Sequence, residues 1–573
     1  MPLRIRPDSV FCLEFTHEKQ DDFIPYSCVI PELLYRKSKL NKTAFVFDSE
    51  KLSFSFSGLI TEMESLAAGF LAVGLQPNDR LLIAGYNNHS VLIAVLAASR
   101  AGIVFSLVSP NFSSSEELKH LCLVGGFKGV LLFAANGSSD FSFNILSEIS
   151  PELKGSQRGK LNSPALPDLR IVILGDEEHK HAGCWTLSEV FGKCTKPRLE
   201  KLPNFKQWNP NRIAAIGWTL ASFLISNSKL LLLGSTGPQK ACALTHYQLI
   251  NCCRIVANTI GIKQDTVLAL ALPIYRLPVF CLSALTPFFF ESCTIVSEPS
   301  PVPRFLFASI NKYSCTHLIS NALAMRLLIK MGMMQKTKLP TVQTAILLGD
   351  RVSAELLMSI ERVMPLAKHI AVGMLLTEIG IPILSDRSTN LLRSAGKTLE
   401  NFAIDVTPVD KLHGVNGQRV GELRVWALEK TKFLGYGPNF DTPTDFVETG
   451  DIASISRDGN VEIITNKADL CYDRVDKLVK HWEIERLLAT CESIKGVQVL
   501  QQCHGAPIIA VVVPKKKEVI PQFIKTDLNA LCRNNQMIQP DKIAIVDDFP
   551  RVNTRIQKYK LREMLRAKSL ILY

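Results

Sequence analysis

Short apolar segments alternate with segments of helical periodicity through most of the chain. Leu59, Met63, Leu66 and Phe70 share one face of a predicted helix, and residues 81–86 form the apolar run of a predicted strand. The same alternation returns between residues 262 and 372. Strands that alternate with helices favour parallel sheets covered by helices on both faces, so the sequence predicts an α/β fold.

Two regions depart from this alternation. Residues 136–211 are richer in Gly, Ser, Pro and charged residues, and we interpret them as a looser connection. From Gly421 the pattern changes to antiparallel ribbons, with a hairpin turn predicted at Asp458-Gly459. The last part of the chain, residues 467–573, has the pattern of a separate small α+β unit.

Length and composition exclude several classes of protein. A chain of 573 residues with 47% hydrophobic and 21% charged residues has enough apolar side chains for two or three domain cores. The net charge of +12 is spread without a basic stripe and interleaved aromatics, which argues against nucleic-acid binding. The apolar stretch 277–290 is too short for a transmembrane segment and is interrupted by Pro287.

The distribution of the cysteines indicates a reducing cellular compartment. The 15 cysteines are scattered, with no Cys-x-x-Cys pair, and several lie in helical apolar contexts such as Cys252 and Cys253. We therefore expect reduced core thiols and an intracellular protein. A pI near 9.0 suits the mitochondrial matrix, while a cytoplasmic location remains an alternative.

A run of leucines at residues 230–233 is predicted to be a buried strand that enters a tight loop. The loop combines small, hydroxyl-bearing and basic residues: Gly234, Ser235, Thr236, Gly237 and Lys240. Such a loop can hold a polyphosphate through amide N–H groups, hydroxyls and one cation. Thr245 is then predicted to cap a helix, with His246 as a packing residue. An ordinary Gly/Ser turn between a strand and a helix is the alternative interpretation.

Three further stretches accompany this loop. They are Thr377-Glu378, Thr449-Gly450-Asp451 and the segment 549–562. In this order and at these distances, the four stretches resemble those of acyl-CoA synthetases of the adenylate-forming superfamily, and are most similar to the mitochondrial medium-chain acyl-CoA ligases. The resemblance runs from about residue 28 to the C-terminus.

The resemblance implies a fold and a domain organisation. Residues 1–466 would form a large N-terminal AMP-binding domain, made of two layered α/β subdomains and a β-ribbon subdomain. Residues 467–573 would form a small, mobile α+β C-terminal lid domain. The family joins a carboxylic acid to ATP as an acyl-adenylate, and the thiol of CoA then displaces AMP.

The resemblance also implies roles for individual residues. Residues 234–237 and Lys240 would hold the β- and γ-phosphates of ATP, and Thr377 would contact the α-phosphate. Glu378 would bind Mg²⁺, since carboxylate oxygens are preferred ligands of this ion. Asp451 would accept hydrogen bonds from the ribose hydroxyls.

Three positions complete the set that the resemblance suggests. Gly349 lies at the loop that flanks adenine in the family. Asn466 stands where the family has an arginine that contacts ribose and phosphate. Arg555 stands at the position of the adenylation lysine, and its wide planar guanidinium is not equivalent to an ammonium group. Either Lys558 or Lys560 is an alternative source of that charge.

Other departures affect the loops. Met374 and Leu375 replace a Tyr-Gly pair, and residues 473–477 replace a glycine-rich Gly-Gly-Glu loop. Two hypotheses therefore remain open. The first is an acyl-CoA synthetase of a fatty acid, dependent on ATP, Mg²⁺ and CoA, that is slow or specialised. The second is a non-catalytic relative that binds a nucleotide, an acyl group or a protein partner.

Overall fold

The structure is a computed structural model in which two compact units are distinguished. It describes residues 26–112, 114–134, 140–175, 181–219, 239–349, 352, 354–386, 389, 391, 394–410, 412–414, 417–429, 431–515, 520–552, 555–556 and 558–573. The first unit contains residues 26–219, 240–403 and 426–447, and the second is built mainly from residues 404–425 and 448–573. The domain boundary predicted after residue 466 stays a prediction.

The strands are numbered here in chain order. They are β1 (Thr43–Phe47), β2 (Leu52–Ser55), β3 (Arg80–Ala84), β4 (Val104–Val108), β5 (Gly129–Leu132), β6 (Ile171–Leu174), β7 (Trp185–Thr186), β8 (Ile213–Trp218), β9 (Ala241–Thr245), β10 (Val267–Leu270), β11 (Cys293–Val296), β12 (His317–Ser320), β13 (Thr344–Leu348), β14 (His369–Leu376), β15 (Gly380–Leu384), β16 (Lys397–Thr398), β17 (Ile404–Thr407), β18 (Arg419–Trp426), β19 (Phe446–Ile455), β20 (Val461–Asn466), β21 (Cys471–Tyr472), β22 (Leu478–Val479), β23 (Ile494–Gln501), β24 (Ile508–Pro514), β25 (Lys542–Ile545), β26 (Arg551–Val552) and β27 (Arg555–Ile556).

The helices are numbered in the same way. They are α1 (Ile30–Tyr35), α2 (Phe56–Ala72), α3 (His89–Ala101), α4 (Ser115–Gly125), α5 (Asp140–Ile149), α6 (Leu187–Gly192), α7 (Lys196–Glu200), α8 (His246–Thr259), α9 (Leu277–Phe280), α10 (Thr286–Phe290), α11 (Pro303–Lys312), α12 (Ala322–Gln335), α13 (Ala354–Val363), α14 (His481–Leu488), α15 (Pro521–Asn534) and α16 (Lys558–Arg566).

A seven-stranded sheet in the first unit has the order β7-β6-β5-β3-β4-β8-β9. Its strands pair in parallel except for the antiparallel pair β8–β9, and β3, β4, β5 and β6 are almost wholly buried. The interpretation of residues 136–211 as a loose connection is wrong, because this region supplies β6 and α5. The four-residue apolar run of β6 is too short to stand out from its polar surroundings, and its parallel pairing with β5 stabilises it.

A nine-stranded sheet in the same unit has the order β16-β15-β14-β13-β12-β10-β11-β1-β2. Its central strands are parallel, and its margins are antiparallel at β1–β2, β14–β15 and β15–β16. One face carries α11, α12 and α13, whose inner side chains share an apolar core with the sheet. The predicted α/β fold is thereby confirmed.

Helix α8 follows the predicted pattern. The Thr245 hydroxyl accepts a hydrogen bond from the Gln248 N–H, and the Gln248 side chain accepts one from the Thr245 N–H, which closes a capping box. His246 is 2% exposed, and its Nδ1 accepts a hydrogen bond from the Ile30 N–H at 3.2 Å. The predictions of a cap at Thr245 and a packing residue at His246 are confirmed.

We expect the free energy of unfolding to depend on pH through His246. Burial lowers the pKa of this imidazole from 6.5 to about 3, so between these values the unfolded chain binds a proton that the folded chain does not. Stability should therefore fall as the pH is lowered through this window, by at most about 1.4 kcal/mol per pH unit. Urea unfolding at several pH values should show a flatter dependence for His246→Gln, and equal slopes would contradict this account.

The second unit has two main sheets. Strands β17-β18-β19-β20 form a four-stranded sheet, and β19 pairs with β20 as an antiparallel hairpin that turns at Asp458-Gly459, where Gly459 has a φ of 82°. Strands β23-β24-β25 form a three-stranded sheet, and α14 and α15 share an apolar core with it. The predicted ribbons and the predicted α+β character of the C-terminal part are confirmed.

The described cysteines are free thiols, and ten of these fourteen are buried, as the prediction of reduced core thiols requires. Within the described ranges, none of the helices combines the length and the apolar character needed to cross a membrane.

Candidate functional site

Thr377 and Glu378 lie in a tight turn between β14 and β15. Leu376 is paired with Gly380 in the register of these strands, so only residues 377–379 form the turn. Strand β14 runs parallel to its buried neighbour β13, and the turn follows its carboxyl end. Ligands of α/β proteins bind preferentially outside the carboxyl ends of parallel strands. The sheet thus places both predicted residues at a favourable edge.

Lys240 lies immediately before β9, opposite the end of β8. The Thr219 N–H donates to the Lys240 carbonyl oxygen at 3.0 Å, and the Lys240 N–H donates to the Thr219 hydroxyl at 3.3 Å. These two bonds hold the backbone of the lysine in a defined position. The predicted phosphate loop with Gly234, Ser235, Thr236 and Gly237 lies outside the described residues.

A close contact joins the end of β8 to the Thr377 turn. The Thr377 hydroxyl donates to the Trp218 carbonyl oxygen at 3.2 Å. A Cβ at Gly217 would lie 2.5 Å from the Thr377 Cγ2, closer than side chains approach one another. Glycine at position 217 is therefore what permits the Thr377 turn to approach the backbone next to Lys240.

Tyr436 connects the two predicted residues that carry charge. Its hydroxyl donates to Glu378 Oε1 at 2.9 Å, and Lys240 Nζ lies 4.5 Å from the centre of its ring. The tyrosine is held by its neighbour, since the Gly437 N–H donates to the Ala241 carbonyl oxygen at 2.8 Å. The structure thus brings Lys240, Thr377 and Glu378 together around Tyr436, and we call these four residues the charge cluster.

The charge cluster is partly buried, at a cost to both of its ionised groups. Glu378 is 6% exposed, and burial raises the pKa of its carboxyl group, against the opposing effects of hydrogen bonds and of Lys240. Burial likewise lowers the pKa of Lys240, against the attraction of Glu378. Desolvation therefore outweighs the mutual attraction of the two groups. A cation beside Glu378 and an anion beside Lys240 would favour both charged forms.

A magnesium polyphosphate supplies both of these charges. Among the described residues no group of three or more His, Cys, Asp or Glu side chains is arranged to hold a metal ion by itself. Mg²⁺ in nucleotide sites is held by one or two carboxylates, with water and phosphate oxygens as its other ligands. A single buried carboxylate, Glu378, fits that mode of binding.

Gly349 follows β13 and lies at the same edge of the nine-stranded sheet as the end of β14. Its φ is 86°, a left-handed conformation that favours glycine, and its N–H donates to the Gly373 carbonyl oxygen at 3.0 Å. The adjacent Asp350 and Arg351 lie outside the described residues. Gly349 thus adopts a left-handed turn at this edge of the sheet, and its place beside an adenine ring stays a prediction.

Asp451 and Asn466 belong to the second unit, where they face each other across β19 and β20. Asn466 Nδ2 donates to Asp451 Oδ1 at 3.4 Å. The Asp451 N–H donates to the Thr449 hydroxyl at 3.1 Å, and Gly450 between them has a φ of 73°. The hairpin thus presents Asp451 at a fixed turn, with an amide beside it where the family has an arginine.

The structure describes the backbone of Arg555, and for Lys558 it also describes the side chain. The backbone of Arg555 pairs with Val552 in the antiparallel hairpin β26–β27. Lys558 forms an ion pair of 2.7 Å with Glu485 and also donates to the Val499 carbonyl oxygen at 3.4 Å. Lys558 is thus already engaged inside the second unit, which argues against it as the alternative source of the charge predicted at Arg555.

The segment 473–477, which stands in place of a glycine-rich loop, forms a turn closed by one carboxylate. Asp473 Oδ1 accepts hydrogen bonds from the Val475 N–H at 3.0 Å and from the Lys477 N–H at 2.8 Å. The Asp473 N–H in turn donates to the Lys477 carbonyl oxygen at 2.9 Å. A turn that satisfies its own backbone in this way differs from an open glycine loop.

An apolar cavity lies directly beside the Thr377 turn. Its volume is about 20 Å³, which is room for about one water molecule. Its walls come from β9, α8, the segment after Arg276 and the start of β15: Leu244, Leu249, Cys252, Cys253, Val256, Leu277, Pro278, Cys281, Leu282, Ile379, Gly380 and Ile381. Burial raises the pKa of the Cys252 thiol to about 12, so this wall behaves as an apolar surface.

Local sequence patterns do not mark Tyr436, Trp218 or Thr219 as part of the site. The Trp218 carbonyl oxygen contacts Thr377, and the Thr219 hydroxyl contacts the Lys240 N–H. No local side-chain pattern indicates either contact. Tyr436 has one local signal, namely Gly435 before it with a φ of 86°. Its partners Glu378 and Lys240 are distant in sequence, so only the assembled sheets reveal the contact.

Comparison with known proteins extends over most of the chain. The family described as AMP-binding enzyme matches residues 35–220 and 230–436. The medium-chain acyl-CoA ligase ACSF2, mitochondrial, of Rattus norvegicus is 22% identical over 547 residues, which cover 92% of this chain and 85% of that protein. The putative acyl-CoA synthetase YngI of Bacillus subtilis is 21% identical over 541 residues, which cover 91% of this chain and 94% of that protein.

Solved structures show the same fold. The crystal structure of ATP-bound MatB from Rhodopseudomonas palustris superposes with a TM-score of 0.75 at 19% sequence identity. The match covers 94% of this chain and 99% of the MatB chain.

Proposed function

Because the chain belongs to the AMP-binding enzyme family, we propose that it activates a carboxylic acid with ATP and transfers the acyl group to CoA. The observation that supports this most directly is the charge cluster, in which half-buried Lys240 and buried Glu378 are joined through Tyr436. Neither charge is well compensated by its neighbours alone. A bound magnesium polyphosphate would compensate both.

In the first half-reaction the carboxylate of the acid attacks the α-phosphate of ATP, and pyrophosphate leaves. Negative charge gathers at the phosphates in the transition state, so positioned cations and donors lower the barrier. Lys240 would offer its ammonium group to the leaving phosphates, and the Thr377 hydroxyl would contact the α-phosphate. Mg²⁺, when bound at Glu378, would neutralise phosphate charge. Tyr436 would orient the Glu378 carboxylate through its hydrogen bond.

The apolar cavity supports a hydrophobic acyl group as the substrate. It begins at Leu277, directly after residues 273–276, which by resemblance to the family would border the acyl pocket, and it reaches Ile379, next to Glu378. Its volume of about 20 Å³ is smaller than a medium-chain acyl group requires. We therefore propose a medium-chain fatty acid that enters only when the cavity wall opens. The name of the Rattus norvegicus relative, a medium-chain ligase, supports this chain length.

We place the protein in mitochondria. Several relatives have names that include this compartment, and the sequence pI of about 9.0 agrees with a matrix protein. A fluorescent fusion of the full chain, imaged with a mitochondrial marker, tests this placement.

A second candidate function is nucleotide or acyl binding without catalysis. Three observations favour it over full activity. Lys558 is held by Glu485, the segment after Asp473 closes on itself, and Asn466 stands in place of an arginine. A protein of this kind would retain the Mg²⁺–ATP site but would lack groups that assist formation of the acyl-adenylate and its reaction with CoA.

An ATP–pyrophosphate exchange assay over a panel of straight-chain carboxylic acids separates the two candidates. We expect acid-dependent exchange, and we expect Lys240→Ala to lower its rate by at least about 10²-fold, as the loss of one preorganised cation typically does. Lys196→Ala, a change at an exposed lysine in α7, serves as the matched control and should leave the rate unchanged.

The outcome that supports the second candidate is also defined. Mg²⁺–ATP would then raise the melting temperature of the protein, while no acid in the panel would produce exchange. Exchange that is equally fast in Lys240→Ala would contradict the role given to the charge cluster. The absence of both ATP binding and exchange would contradict both candidates.

A further inference from the structure

Exposed apolar side chains are concentrated on one layer of helices in the first unit. Of the eighteen large apolar side chains that are exposed among the described residues, eight lie on α11, α12, α13 or directly beside them: Val302, Phe305, Leu323, Leu327, Met333, Met334, Met358 and Leu366. Isolated exposed apolar residues are normal, but a group of this kind marks an interaction surface.

The three helices present one continuous outer surface. A Cβ at Gly332 in α12 would lie 2.8 Å from a Val363 methyl group of α13 and 2.9 Å from the Phe307 ring of α11. Helix α12 is therefore packed between the other two. The inner sides of all three helices contribute to the core beneath the nine-stranded sheet, so their exposed residues lie on the opposite side of the layer.

Helix α12 forms the centre of this surface. Leu323, Leu327, Lys330 and Met334 follow one another at intervals of three or four residues, which places them in one stripe along the helix. Leu323 is 43% exposed, Leu327 41% and Met334 68%. A helix on the surface of a soluble protein usually presents polar residues at such positions, and here leucine and methionine take them.

The same surface is strongly cationic. Residues 322–340 contain Arg326, Lys330, Lys336 and Lys338 and no Asp or Glu, and all four basic residues are exposed. Lys312, at the end of α11, is paired with Asp48 and is not counted among them. Apolar and basic side chains are thus interleaved on one face.

We propose that this outer face of α11, α12 and α13 docks on an anionic membrane surface. Leucine and methionine side chains would enter the boundary between headgroups and acyl chains, and the lysines would remain at the level of the lipid phosphates. Lysine and arginine near an anionic leaflet each add to the affinity. This surface is separate from the charge cluster, so the proposal does not depend on the proposed catalytic function.

Charge favours lipid over a second copy of the chain. In a two-fold symmetric dimer the same patch meets itself, which would place Lys330 and the lysines that follow α12 against an equally cationic partner surface. An anionic bilayer instead supplies negative charge and an apolar interior together. The apolar interior would then bury the exposed methyl groups of the face, and the negative charge would attract its lysines.

Co-sedimentation of the full-length protein with vesicles tests the proposal. We expect binding to vesicles of phosphatidylcholine mixed with phosphatidylserine and little binding to phosphatidylcholine alone, with affinity falling as salt rises. Lys330→Gln and Lys338→Gln should each lower the partition coefficient about fivefold. Leu327→Ser should lower it about tenfold. The melting temperatures of the two lysine variants should stay unchanged, because these side chains are exposed, and that of Leu327→Ser should fall only slightly, since Leu327 is 41% exposed.

Matched controls come from the second unit. Phe523→Ser and Lys495→Gln change an exposed apolar and an exposed basic residue away from this face, and both should bind vesicles as the unmodified chain does. The absence of binding to anionic vesicles overturns the proposal, and so does binding that the α12 variants leave unchanged. A dimer in analytical ultracentrifugation that Met334→Glu converts to monomer also overturns it, because a second copy then covers the face.

Discussion

Glu378→Gln should abolish the Mg²⁺-dependent increase in melting temperature that ATP produces. The unmodified carboxylate is buried and accepts a hydrogen bond from the Tyr436 hydroxyl. Glutamine keeps the shape and this hydrogen bond but loses the charge that Mg²⁺ requires. A ligand at one hundred times its Kd stabilises a folded protein by about 2.7 kcal/mol, and this is the stabilisation that should disappear. The exchange rate should fall by up to about 10³-fold.

The same substitution should change how stability depends on pH in the absence of ligand. Burial raises the pKa of Glu378 above its ordinary value of 4.5, so its contribution to stability is fully present below that value and is lost as the pH rises through the folded-state pKa. Glutamine removes this dependence. Urea unfolding with and without Mg²⁺–ATP over a pH series measures both effects.

A matched control for Glu378 is available in the second unit. Glu422 is 7% exposed and forms an ion pair with Lys467, so Glu422→Gln also removes a buried carboxylate. It should alter the stability of the free protein but preserve the Mg²⁺–ATP increase in melting temperature. An increase of undiminished size in Glu378→Gln would remove Glu378 from the metal site.

Arg555→Lys should raise the rate of the ATP–pyrophosphate exchange by about 10²–10³-fold if the rest of the site is competent. The family places a lysine here, and an ammonium group can approach a carboxylate and a phosphate more closely than a planar guanidinium fork. Lys558 does not supply this ammonium group, since it is already paired with Glu485. A single restored donor is therefore expected to have a large effect.

The measurement compares exchange rates of Arg555→Lys with those of the unmodified chain and of Arg566→Lys. Arg566 lies exposed in α16, so Arg566→Lys makes the same chemical change at a different position. An unchanged rate in Arg555→Lys would show that the altered loops limit activity instead. Addition of Asn466→Arg to the same chain would then test the position beside Asp451.

Local patterns were sufficient for most of the elements. The helical spacing after Thr245, the buried run of β13 and the hairpin at Asp458-Gly459 each have a signal within a few residues, and each is present in the structure. The strand β6 was missed because its four apolar residues lie among polar ones and depend on pairing with β5. Elements that draw their stability from distant partners are the ones that local patterns fail to show.

The same difference between local signals and distant partners applies to the residues of the candidate site. Lys240, Thr377 and Glu378 were identified from short motifs, because each stands at a recognisable junction between a strand and a loop. Tyr436 was not identified, since its importance comes from Glu378 and Lys240, which are far from it in the sequence. The small size of the apolar cavity was also beyond prediction, because twelve residues from four parts of the chain determine it.

The sequence by itself determined the alternation of strands and helices, the positions of the caps and turns, and the residue types available for binding a polyphosphate. These properties depend on backbone preferences and on side-chain periodicity over a few residues. Only the tertiary structure decided that Glu378 is buried and Lys240 half-buried beside Tyr436, and that leucine, methionine and lysine side chains share the outer face of α12. Burial and charge compensation depend on neighbours brought together by packing, which is why they emerge only after the chain has folded.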